Sequence, residues 1–105
     1  MEKGKRIKFR NWDCELVQQQ YQNGRLALQL VAWDNDSDKD VVKGELIASC
    51  TVNMPDVPLE PNEVLIKNYS ENQGMLAALL IAGVVRKTEK SVQSGWAKIS
   101  ICEIL

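Results

Sequence analysis

The chain has 105 residues, the size of one ordinary domain, and its 45% apolar and 26% charged residues are those of a folding globular chain rather than a disordered one. With 13 basic against 14 acidic residues its formal net charge is -1, so no global field draws it to nucleic acid or to an anionic membrane, and any such contact has to be local. It contains no histidine, which removes the commonest general base, the commonest metal ligand and the usual pH switch.

The opening MEKGKRIKFR is charged and leads into Asn11, Trp12 and Asp13 rather than into an apolar run, so it does not read as a signal peptide. Residues 5 to 10 alternate, with Ile7 and Phe9 on one face and Arg6, Lys8 and Arg10 on the other, as in a half-buried strand with a basic outer face. A second extended segment runs from Trp12 to Tyr21 and meets Asn23-Gly24, the strongest two-residue signal for a type I′ hairpin turn. Arg25 to Trp33 is the return strand. A two-residue turn at this point pairs Tyr21 with Leu26, Gln19 with Leu28 and Val17 with Leu30. The apolar residues at the open end predict a hairpin covered on both sides and central in its sheet.

Asp34, Asp36 and Asp38, with Val41 and Glu45, match much of the spacing of a calcium loop. Lys39 stands where the sharp turn needs glycine and the flanks read as strands, so the expectation is a solvated hairpin loop and no metal. A strand follows from about Glu45 to Asn53, with Leu46, Ala48, Cys50 and Val52 on one side. Pro55, Pro58 and Pro61 then hold an irregular connection. A short strand runs from Glu63 to Asn68.

Ser70 stands three residues before Gln73, the spacing of a capping box, and predicts a helix over about 71 to 82. From Met75 to Val85 every residue but Gly83 is aliphatic, which predicts a helix covered on nearly all sides, with Leu76, Leu79 and Leu80 in the core and the stop at Gly83. After Arg86 to Lys90, SVQSG reads as a turn, and Ala97, Ile99 and Ile101 alternate with Lys98, Ser100 and Cys102 in a closing strand. The fold class is α+β over a single domain 1–105: an antiparallel β-rich meander packed with one short helix and a C-terminal strand.

Chemistry is sparse. Cys14, Cys50 and Cys102 are far apart and flanked by strand sequence, the pattern of reduced core thiols rather than of a zinc or redox motif. The serines have no histidine partner, the carboxylates are scattered, and no glycine pattern builds a phosphate loop. The expectation is a protein that is not an enzyme and takes no cofactor. Arg6, Lys8, Arg10, Trp12, Trp33 and Trp96 are the candidate partner-binding residues, because tryptophan and arginine dominate interface energetics and each tryptophan falls on or beside a strand. A basic edge strand is also an ordinary protection against sheet-to-sheet association.

The succession LALQL at 26–30, TVNMPDVPLEPNEVLIKNYSEN at 51–72, GMLAALLIAGVV at 74–85 and the final SGWAKISICEIL resembles domain-of-unknown-function family 4313, whose members look like accessory genes of phages and conjugative elements in Gram-positive and Bacteroidales bacteria. The family tends to have a tighter, glycine-bearing hairpin where this chain has residues 34 to 43. The resemblance implies a small interaction protein, cytoplasmic in a bacterial host, that binds a host or element-encoded protein, such as an inhibitor of a defence system of the CRISPR type. The alternative is a nucleic-acid-binding accessory factor using the basic N-terminal strand, with no membrane partner in either case.

Overall fold

Charged and apolar residues alternate through Arg6–Phe9 (β1), so Ile7 and Phe9 are buried while Arg6 and Lys8 face solvent. The computed structural model describes residues 5–33 and 44–105. The candidate calcium positions Asp34, Asp36, Asp38 and Val41 lie outside them. β1 pairs antiparallel with Trp12–Gln20 (β2), which pairs with Leu26–Ala32 (β3), which pairs with Leu46–Ser49 (β4). A second antiparallel sheet holds Thr51–Val52 (β5), Glu63–Ile66 (β6), Val85–Ser94 (β7) and Ala97–Ile104 (β8), in the order β5-β6-β8-β7. One helix, Met75–Ile81 (α1), completes the α+β fold.

The expected antiparallel β-rich α+β fold is built as two sheets, and Cys50 is where the chain leaves one for the other. Its amide donates to the Leu28 carbonyl at 2.8 Å and its carbonyl accepts from the Lys67 amide at 2.8 Å, so one residue is bonded into both sheets. That divides the expected strand at 45 to 53 into β4 and β5. The main core, with Ile7, Cys14, Leu28, Leu30, Val64, Ile66, Met75, Leu79 and Cys102, lies between the two sheets and the helix. A smaller core of Leu65, Ile99 and Ile101 fills the far face of the second sheet beneath Met54, Val57 and Leu59 of the proline-bearing loop. Arg25 clamps that loop, donating to the Met54 carbonyl at 2.8 Å. With both faces covered, all four residues of β6 are buried.

The β2–β3 hairpin is central in its sheet, as expected, but its turn is not type I′. The Tyr21 amide donates to Arg25 at 2.8 Å and the Gly24 amide to Tyr21 at 2.9 Å, and only Gly24 has positive φ (86°), which makes a three-residue loop with a left-handed glycine. The register is consequently Gln20 with Leu26, Gln18 with Leu28, Leu16 with Leu30 and Cys14 with Ala32. A shift of one residue exchanges the faces of one strand relative to the other, and this register gathers Cys14, Leu16, Leu28 and Leu30 on the core side.

The helix also departs from expectation at its start. Ser70–Asn72 forms a separate 3₁₀ turn with no side-chain cap, and α1 begins only at Met75, after Gly74 at φ 94°. Asn68 supplies the cap instead, its Oδ1 accepting from the Leu76 amide at 2.8 Å. Gly83 does end the helix: at φ 73° its amide donates to Leu80, and the Val84 amide reaches back to Leu79 in a Schellman motif. Only one face of α1 is covered. Met75 and Leu79 are buried, Leu76 is half-buried, and Leu80 and Ile81 are exposed at 38% and 87%.

Of the expected turn SVQSG, Ser91 to Ser94 belong to β7, and the chain reverses at its last residue, Gly95, with Trp96, between the paired Ser94 and Ala97. Its charge hid this strand. β7 is an edge, with an irregularity between Lys87 and Ser91 where the Thr88 hydroxyl donates to the Ile101 carbonyl at 2.7 Å.

Candidate partner-binding site

The two edges of the first sheet bound a cleft of about 410 Å³. One wall comes from the β1–β2 turn, where Phe9 and Trp12 pair across Arg10 and Asn11. The other is the apolar run of β4: Leu46, 54% exposed, with Ile47 and Ala48 half-buried. The buried Asn72 closes the floor, donating from Nδ2 to the Ser49 carbonyl at 2.6 Å and to the Lys67 carbonyl at 3.2 Å. At the rim Lys67 Nζ lies 2.7 Å from Glu71 Oε2. That hydrogen bond holds the Glu71 carboxyl below its ordinary pKa and raises that of the Lys67 ammonium.

Among the described residues Arg10 and Ser70 are the non-glycine residues with positive φ, and Arg10 takes it at the first position of the two-residue turn between β1 and β2. Its backbone sits at φ 56°, a left-handed conformation that costs a residue with a Cβ about 1–2 kcal/mol relative to glycine. Nη2 makes a long hydrogen bond of 3.4 Å to the Gln73 carbonyl, and the guanidinium lies 5.4 Å from the Phe9 ring centroid. The turn thereby aims an exposed cation at the cleft mouth. Trp12, half-buried against the main core, stands beside it.

The other predicted contact residues are elsewhere. Arg6 lies on the face of the first sheet away from the core, with Nη2 3.3 Å from Asp13 Oδ2 and its guanidinium 5.2 Å from the Trp33 ring centroid. Lys8 is exposed and opposite Asp13 in the register. Trp33 is half-buried, and Trp96, at 103%, is wholly exposed at the tip of the β7–β8 hairpin. The six residues are thus spread over the cleft, the outer sheet face and the hairpin tip. Sequence reasoning missed Leu46, Asn72 and Lys67 as cleft residues. The one signal for Leu46 was an apolar residue in a strand whose neighbours do not keep strict alternation.

All three cysteines are buried and free. Burial pushes the thiols up to about 11 at Cys14, 12 at Cys50 and 11 at Cys102, so each is a protonated, unreactive thiol near neutrality. Among the described residues no group of three or more histidine, cysteine, aspartate or glutamate side chains is placed to hold a metal, and no helix is long and apolar enough to cross a membrane. No protein-family model, no curated protein and no solved structure matches the chain.

Proposed function

We propose that the chain is a non-catalytic interaction protein of phage or mobile-element type that binds a host protein, in the manner of an inhibitor of a bacterial defence system. The contact is the cleft between β1 and β4. The observation that carries it is the left-handed backbone of Arg10: strain of this kind is held only where the surroundings enforce it, and here it presents a cation beside Trp12 and an exposed leucine. Tryptophan and arginine facing an apolar wall are the composition of a dominant contact. The phage and defence aspects rest on the sequence resemblance. Nucleic-acid binding through β1 has less support, because Asp13 pairs with Arg6 and lies opposite Lys8.

The test is affinity capture from a bacterial host, followed by titration of the captured protein with defined variants. Arg10→Glu and Leu46→Asp should each weaken binding by about tenfold or more, as for central interface residues, while Arg6→Glu leaves it unchanged. Equal binding by all three variants would refute the cleft as the contact. Turnover of a substrate by the isolated chain, lost on one nucleophile or carboxylate substitution, would refute the non-catalytic reading.

A further inference from the structure

The β7–β8 hairpin continues the core-facing side of the second sheet past the end of the core. Cys102 is fully buried, Ser100 is half-buried, Lys98 is exposed, and Trp96 at the tip is 103% exposed. The opposite strand places Lys87 across from Cys102, Ser91 across from Ser100 and Gln93 across from Lys98. Lys87, Ser91, Lys98 and Ser100 line one shallow cleft of about 450 Å³, which shares no lining residue with the β1–β4 cleft.

Residues 85–104 carry four lysines and arginines against two glutamates, and Glu63 of β6 adds a third carboxylate beside Lys90, so the arm keeps a slight positive excess in a chain whose net charge is -1. Two of the four are already engaged: Arg86 pairs with Glu103, and Lys90 lies 2.7 Å from Glu63. Lys87 and Lys98 form no ion pair among the described residues, and Glu89 is the one carboxylate beside them in the cleft. The tip is braced, since Gln93 Nε2 donates to the Gly95 carbonyl at 2.9 Å and Gly95 takes a positive φ of 58° at the first turn position.

We propose that this face of the hairpin binds single-stranded nucleic acid, with Trp96 stacking on a base and Lys98 and Lys87 contacting phosphates. The proposal goes beyond the protein-binding reading and stands independently of it. Trp96 sits in the tip turn two residues before Lys98, and Lys98 and Ser100 are alternate residues of β8, about 6.8 Å apart and so close to the spacing of nucleotides in an extended single strand. An aromatic platform followed by cations and hydroxyl donors is the arrangement that binds single strands with little sequence preference. A duplex buries its base faces and offers Trp96 nothing to stack on.

The test titrates the full chain into fluorescein-labelled oligo-dT and oligo-rU of about 15 nucleotides, followed by anisotropy and by quenching of tryptophan emission. Two phosphate contacts give a salt slope near -1.4, so raising salt from about 50 to about 200 mM should weaken binding about sevenfold. Trp96→Ala should weaken it by about 5-fold to 150-fold and Trp96→Phe should restore most of the loss, while Lys87→Glu with Lys98→Glu should flatten the salt dependence. Preference for oligo-rU over oligo-dT would assign the strand as RNA, and equal binding would support either backbone. All these side chains are exposed, so an unchanged thermal midpoint serves as the folding control. Absence of binding to both oligomers at about 50 mM salt, equal affinity for duplex DNA, or equal affinity for polyglutamate would each overturn the proposal. So would binding that survives Trp96→Ala.

Discussion

The Lys90 ammonium donates to both carboxylate oxygens of Glu63, at 2.8 and 2.7 Å, although Glu63 is a buried residue of a central strand. The Glu60 amide donates to the same carboxylate at 2.9 Å, so the proline-bearing loop, β6 and the edge strand β7 meet at one charge. That amide and then the lysine hold the Glu63 carboxyl below the ordinary 4.5. A lowered folded pKa contributes stability that is complete above the unfolded value and fades as pH falls through the folded one. Urea midpoints measured downward from neutrality should decline below about pH 4.5, and Glu63→Gln should flatten that decline. Lys90→Met leaves the carboxylate short of a donor and should cost about 1–3 kcal/mol at neutral pH. A pH profile identical in wild type and Glu63→Gln would sink the assignment.

Leu79 and Ile81 lie two residues apart on α1 with opposite fates, one fully buried and the other 87% exposed. Leu79→Ala should destabilise by about 2–5 kcal/mol, and Ile81→Ala should stay within about 0.5 kcal/mol. Chemical denaturation of the two variants checks this directly. Comparable losses would mean that the helix is covered on both sides after all.

Gly24 carries its importance in the backbone. A Cβ there meets nothing within 4 Å, yet φ is 86°. Gly24→Val should therefore cost about 1–2 kcal/mol through conformation alone, and Gly24→Asn should cost less because asparagine tolerates the left-handed region. An equal cost for the two would point to a steric cause instead.

Arg10 presents the reverse case. Glycine at its φ of 56° relieves strain, so Arg10→Gly should raise stability by up to about 1–2 kcal/mol while weakening partner binding. Unfolding and titration must be measured on the same preparation. A variant that is both less stable and fully active would remove the argument from strain.

The thiols set a limit on the alkaline side. With Cys14 and Cys102 raised to about 11 and Cys50 to about 12, the folded state keeps protons that the unfolded state loses near the ordinary thiol value of 9.0. Their contribution is complete below that value and is lost as pH rises toward the folded pKa values. Stability should fall between about pH 9 and pH 11, and alkylation by iodoacetamide at neutral pH should be as slow as global unfolding. Rapid alkylation of one native thiol would contradict the burial described above.

Much of the local structure was legible in the sequence. Alternation marked β1 and β8, the aliphatic run marked the only helix among the described residues, Gly83 marked its end, and strand-flanked cysteines marked core thiols. These features depend on side-chain period and on φ preference, which a segment of ten residues carries by itself. Among the candidate site residues, Arg10 and Trp12 were visible as types but not as neighbours of Leu46. The rest required tertiary structure. Asn23-Gly24 favours a two-residue turn locally, but Gly24 also suits the left-handed position of a three-residue loop, and the register was decided by which faces of β2 and β3 met the second sheet. β7 is too charged to be read as a strand alone, and it forms because β8 offers it a ladder and Glu63 holds its lysine. The split at Cys50 and the approach of β1 to β4 arise from closing two apolar faces over one core, a long-range choice that no local pattern encodes.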